Sequence, residues 1–196
     1  MKKIALMMSA AGLAFMAMNA AHASDGKISF QGSVVASTCK VNDGKNDLTV
    51  PLPKASTNQF TGVGSTAGRT PFKLTLSGCA TDTTNGEGGD VEAPVKKVSV
   101  AFEPGGTVDL ASGRLNLEGG TGAAGNLQIQ ILNDKYEQIM IGAASANQKV
   151  QVADIDTSKG GSGTATLQFA AEYYATAAAV TGGAANSHVT YSLTYP

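Results

Sequence analysis

The sequence predicts an all-β fold, a sandwich of short strands. Three observations predict it. Apolar and polar residues alternate in stretch after stretch, the period of a half-buried strand. Clusters of Gly, Asn, Asp and Ser separate those stretches, which is turn and loop chemistry. No stretch beyond residue 23 carries the apolar stripe of a helix. Many short strands with such punctuation argue for a sandwich.

The first 23 residues stand apart. Lys2 and Lys3 make a basic start. "IALMMSAAGLAFMAM" (Ile4 to Met18) is an apolar core short for a bilayer span. "AHA" (Ala21, His22, Ala23) sets small residues at both cleavage positions. This is the pattern of a secretory signal peptide, with cleavage between Ala23 and Ser24. Cleavage removes five of the six methionines and leaves 173 of the 196 residues, enough for one domain with a sizeable core. Twelve basic residues then face fifteen acidic ones, a net charge near −3. No basic run is present, so nucleic acid and anionic membrane are poor partners. No later segment is apolar enough to span a membrane.

The elements follow in order. "GKISFQGSVV" opens the exported chain, with Ile28, Phe30, Gly32 and Val34 on one face and Lys27, Ser29, Gln31 and Ser33 on the other. A well-patterned strand is unusual at a chain end, where segments are loose unless tied down. "LTVPL" (Leu48 to Leu52) is a short candidate. "PFKLTLSGC" puts Phe72, Leu74 and Leu76 on one face, and "KKVSVAFE" does the same with Val98, Val100 and Phe102. "GRLNLEG" offers Leu115 and Leu117. "NLQIQIL" offers Leu127, Ile129 and Ile131, with Gln128 and Gln130 opposite. "EQIMIG" (Glu137 to Gly142) and "KVQVAD" (Lys149 to Asp154) are further short candidates. "ATLQFAAEYYAT" offers Leu167, Phe169, Ala171 and Tyr173. "SHVTYSLTYP" closes the chain with Val189, Tyr191, Leu193 and Tyr195 in register. "ATAAAVTGGAAN" (Ala175 to Asn186) is Ala-rich but broken by Gly182 and Gly183; it reads as a loop with room for a short helix. No domain boundary and no internal repeat is visible within the exported chain.

Cys39 and Cys79 are the only cysteines. Pairing is the default in an exported chain. The bridge closes a loop of about 40 residues, for which chain entropy gives roughly 4 kcal/mol.

Catalytic chemistry is scarce. His188 is the one histidine beyond the signal, on the face opposite Val189 and Tyr191, and reads as a solvated strand residue. A lone His with both cysteines paired makes no nucleophilic constellation. "GTGAAG" (Gly120 to Gly125) matches a dinucleotide fingerprint as a string, but it leads into a strand where the chemistry needs a helix N-terminus. "DTTNGEGGD" (Asp82 to Asp90) lacks the ligand spacing of a calcium loop. Asp154 and Asp156 are neighbours in a loop. No Trp is present to form a sugar-stacking platform. The reading is not an enzyme, with no cofactor, no metal and no small-molecule substrate.

Four stretches, in order, resemble the chaperone–usher pilins of the type 1 fimbrial major-subunit family. They are "GKISFQGSVVASTCKV" (Gly26 to Val41), "PFKLTLSGCAT" (Pro71 to Thr81), "NLQIQILND" (Asn126 to Asp134) and "FAAEYYATAAAVTGGAANSHVTYSLTYP" (Phe169 to Pro196). Each motif is moderately specific. Four in order, with a signal peptide and two cysteines, are highly specific.

The resemblance implies an incomplete immunoglobulin-like sandwich lacking its last strand. The gap is an apolar groove, filled by a periplasmic chaperone's strand before assembly and by the next subunit's N-terminal extension in the fibre. Residues 24–35 would be that donor extension and 36–196 the pilin domain. Ile28, Phe30 and Val34 would enter a neighbour's groove, and Gly32 would sit where the groove is shallow. Burying the three large side chains would contribute about 5–6 kcal/mol, at about 2 kcal/mol each. Val189, Tyr191, Leu193 and Tyr195 would line the acceptor groove and contact the chaperone. The implied role is a structural subunit of a cell-surface fimbria supporting adhesion. Its partners would be copies of itself, a periplasmic chaperone and an outer-membrane usher. The alternatives are a minor adaptor or tip subunit and, from another class, a free-standing secreted sugar-binding sandwich.

Overall fold

Alternation in the sequence becomes two packed sheets. The structure, a computed structural model, describes residues 27–29, 39–79, 95–158 and 162–196. The chain divides into two units, Met1–Val35 and Ala36–Pro196. In the first unit Lys27, Ile28 and Ser29 are described; they form no strand, and Ile28 is exposed. Ala23, Ser24, Phe30, Gly32 and Val34 lie outside the described residues.

In the second unit one sheet has six strands in the order β1 (Lys40–Val41), β2 (Thr66–Cys79), β8 (Gly163–Ala175), β6 (Leu127–Leu132), β5 (Arg114–Asn116) and β4 (Val108–Asp109). The other has three, in the order β7 (Ala153–Asp154), β3 (Lys97–Phe102) and β9 (Tyr191–Thr194). Every ladder between them is antiparallel. β2 and β8 form the spine, paired from Thr66–Tyr174 to Cys79–Gly163.

The inward faces are those the alternation names. Leu74, Leu76, Val98, Val100, Ile129, Ile131 and Leu167 are buried. Phe169 joins the layers: its ring stacks on Phe72 at 5.3 Å in its own sheet and meets Phe102 of the facing sheet edge-on at 5.5 Å. Cys39 and Cys79 are bonded, which fixes β1 to the end of β2.

Several expected strands are shorter or missing, each for a physical reason. Leu48–Leu52 keeps its alternation but forms no strand, because no strand lies beside it among the described residues. The 137–142 stretch forms none either. Ile139 donates to Ile131 and Ile141 to Gly113, so no single ladder develops, although both isoleucines are fully buried. Of 149–154 only Ala153–Asp154 is a strand; Lys149 has φ 60°, which breaks the extended run. The last strand covers only Tyr191–Thr194. Glu103 still donates to Thr190, but the chain then turns at Gly105, and the next carbonyl on that edge, His188, accepts from the Thr107 hydroxyl instead. The Ala-rich stretch holds no helix among the described residues. Backbone bridges Gly125–Thr181 and Ala123–Ala184 hold it against the loop before β6.

Gly113 shows why a glycine is needed at one turn. It has φ +68°, and a Cβ there would lie 2.8 Å from Met140 Cα. The β4–β5 hairpin therefore packs its backbone directly on the 139–141 stretch.

Candidate functional site: an apolar groove between two rails

The groove starts at the disulfide. After β1, Asn42 and Asp43 adopt left-handed conformations (φ 45° and 57°), and Asn42 Oδ1 accepts from both the N–H and the hydroxyl of Thr75. Asn and Asp tolerate that conformation best among non-glycines. The turn throws the chain off the six-stranded sheet, and residues 46–52 then run alone along the sandwich. Val50 and Leu52 are half-buried and line the trough with the more exposed Leu48, while Thr49, Pro51 and Pro53 are exposed.

The opposite rail is β9 with the residues before it. Val189, Tyr191, Leu193 and Tyr195 are half-buried against the core, and Thr190 and Ser192 are exposed. β9 bonds β3 on one side only, so its other edge is open among the described residues.

Two hydrogen bonds tie the rails, and a third approach confirms their direction. The Cys39 N–H donates to the Tyr195 hydroxyl at 3.3 Å. The Tyr191 hydroxyl donates to the Asn46 carbonyl at 2.7 Å. Further along, a Cβ on Gly182 would sit 4.0 Å from Thr57 Cγ2. Residue numbers rise on one rail as they fall on the other, so the rails run antiparallel.

Between them lies an apolar cleft of about 430 Å³. Its floor is Phe72, Leu74, Phe102, Leu115, Ile129, Ile131 and Ala171, drawn from both sheets. It opens into a hollow of about 880 Å³ walled by Leu52, Phe60, Leu127, Tyr173 and Val180. Leu48, Val50, Leu52, Ile129, Ser187 and His188 line both, so the two are one trough. Burial, with the Asp47 carboxylate adding, pushes the Tyr191 phenol up; burial alone does the same for Tyr173. Both phenols are neutral at physiological pH.

His188 stands just before β9 rather than within it. Its Nδ1 lies 2.7 Å from Glu118 Oε1, and its carbonyl accepts from the Thr107 hydroxyl at 2.6 Å. It pins the rail to the β5 side of the sandwich. No group of three or more His, Cys, Asp or Glu side chains is placed to hold a metal among the described residues, and no helix there is long and apolar enough to cross a membrane.

Sequence reasoning missed the outer face of the large sheet. Glu172, Gln130 and Gln128 point away from the core yet are buried. Arg69 Nε donates to Glu172 at 2.7 Å, and Gln130 Nε2 donates to its other oxygen at 2.6 Å. Arg114 donates to Gln130 and Gln138 while lying 3.6 Å from the centre of the Tyr174 ring. The Glu in "AAEYY" and the Gln pair in "NLQIQIL", all polar on the face opposite the apolar one, are the available signal.

Comparisons with known proteins bear on the family and the fold. The FimA family, described as type-1 fimbrial protein, A, matches residues 52–196. The F17 fimbrial protein of Escherichia coli is 38% identical over 184 residues, covering 93% of this chain and 94% of its own. The major fimbrial subunit SMF-1 of Stenotrophomonas maltophilia is 38% identical, covering 90% and 95%. Among solved structures, the P pilus rod subunit PapA aligns over 81% of this chain and 99% of its own, with TM-score 0.57 and 23% identity. A chaperone–usher pilus subunit aligns over 88% and 96%, also with TM-score 0.57, at 22% identity. The fold is that of the immunoglobulin-like pilins. The chain belongs to the type-1 fimbrial protein family and is a structural fimbrial subunit.

Proposed function

We propose that the trough is an acceptor for one β-strand, and that the strand is Gly26–Val35 of another copy of this chain. One observation carries the reading: an edge strand and an extended arm face each other across an apolar floor, with no strand between them among the described residues. Length supports it. From Gly182 to Tyr191 the rail is ten residues, about 33 Å when extended, and Gly26–Val35 is also ten. Chemistry supports it too, since Ile28, Phe30 and Val34 share one face and the floor is apolar. The division of the chain between Val35 and Ala36 is consistent with an extension ahead of a domain.

In this reading residues 1–23 are a signal cleaved at Ala23–Ser24, residues 24–35 the donor and 36–196 the pilin domain. A periplasmic chaperone strand occupies the trough first, against Val189, Tyr191, Leu193 and Tyr195. An outer-membrane usher then exchanges it for the next subunit's donor. The product is the shaft of a cell-surface fimbria that supports adhesion. The test is expression with and without Ser24–Val35 alongside a chaperone and usher. The full chain should give detergent-resistant ladders of subunits in sheared surface material, and the deletion none. Equal ladders from both would refute the donor assignment.

A further inference from the structure

The arm 48–53 bears two prolines in an unusual place. Val50 and Leu52 face the floor, and each precedes a proline, Pro51 and Pro53, on the exposed face. No backbone N–H from Leu48 to Leu52 donates to another backbone group among the described residues. A segment without a ladder would ordinarily fluctuate. A following proline, however, excludes the helical region and holds the residue before it extended. Val50 and Leu52 are thus kept strand-like before any partner arrives.

The prolines also make the arm's two edges unequal. In an extended chain every second residue sends its N–H and C=O to the same edge. Leu48, Val50 and Leu52 share one edge with Asn46, whose carbonyl accepts from the Tyr191 hydroxyl of the facing rail, so this edge faces the trough; Thr49, Pro51 and Pro53 share the outer one. The first keeps all its donors, whereas the second has lost two in succession. Proline is tolerated in a strand when its missing N–H lies on the solvent side of an edge. An unblunted edge would invite a second chain.

Resting on the acceptor reading, we propose that the arm is a one-sided rail. Leu48, Val50 and Leu52 ladder with the incoming donor strand of another copy, while Pro51 and Pro53 deny the outer edge to any further strand. Because the rails are antiparallel, a donor running antiparallel to β9 pairs in parallel with this arm.

Four variants of the full chain test it, read by detergent-resistant ladders and by light scattering of the sheared fibres. Thr49→Pro removes one more outer donor and should assemble within twofold of the unaltered chain. Val50→Pro removes an inner donor and should assemble at least tenfold less than Val50→Ala, which controls for the lost side chain. Pro51→Thr with Pro53→Thr should still form ladders, though fewer, and per mass of fibre its fibres should associate side by side and scatter several-fold more light. Loss with Thr49→Pro, equal yield from Val50→Pro and Val50→Ala, or unchanged scattering from the double variant would each overturn the proposal. If the unaltered chain forms no ladder, it is the acceptor reading itself that fails.

Discussion

The Tyr191 hydroxyl donates to the Asn46 carbonyl at 2.7 Å, and through that bond the last strand reaches across the groove to its far wall. The phenol bridges the two rails and holds one at a fixed distance from the other. Tyr191→Phe keeps the ring and loses the bond. It should cost about 1 kcal/mol, seen as a melting temperature lower by about 2–4 °C. An unchanged melting temperature would mean the bond does not hold the rails.

The same residue gives a pH dependence. The phenols of Tyr191 and Tyr173 are raised in the fold, mainly by burial. The folded chain therefore keeps protons that the unfolded chain releases near pH 10. The stability linked to these groups is full below pH 10 and is lost as pH rises through the higher folded values. Urea unfolding between pH 8 and 11.5 should show this fall, and Tyr191→Phe should make it shallower. Equal slopes for the two chains would contradict the assignment.

The disulfide makes a larger prediction. Cys39→Ser should destabilise the domain by roughly 4 kcal/mol, since it opens a loop of about 40 residues. Cys79→Ser should match it, and the double variant should be no worse than either. Wild-type melting in all three would show that the bridge contributes nothing.

On the outer face, Arg69→Ala leaves a buried carboxylate with one fewer charge-assisted bond. The expected cost is about 1–3 kcal/mol, discounted toward the lower end because Arg69 is half exposed. Arg69→Ala with Glu172→Gln should recover part of it. If the second change made matters worse, the ion pair would not be the source of the effect.

Much of this was legible in the sequence, because period-two alternation is a local signal. Leu74 and Leu76, Val98 and Val100, and Leu167 and Phe169 face inward as their spacing predicts. Strand ends were less legible, since a ladder ends where its partner does. The last strand's ladder stops at Thr190 because the chain beyond Glu103 turns at Gly105, far away in sequence. Tyr191 could be placed on the groove face from alternation, but its bond to Asn46 spans 145 positions and has no local signature. Alternation alone puts Glu172 on the face opposite Ala171 and Tyr173. That Gln130 and Arg69 cover it depends on which strands flank β8.

Gly32 bears on the donor register. A side chain there would press on the groove floor, and overpacking costs about 1–3 kcal/mol. Gly32→Leu should abolish ladders while leaving the domain's own melting unchanged. Normal ladders from Gly32→Leu would refute the register.

The most direct measurement asks whether the domain lacks one strand. Ser24–Val35 is removed from the front and placed after Pro196 through a short Gly/Asn turn, so that it folds back antiparallel to β9. A short tether gives an effective concentration around millimolar, which favours filling the chain's own groove over polymerisation. The account predicts a soluble monomer that needs no chaperone and melts far above the bare deletion. The same rearranged chain with Ile28→Asp and Phe30→Asp should melt like the deletion. A bare deletion that is already a stable monomer, with a melting temperature moved by neither added strand, would contradict the account.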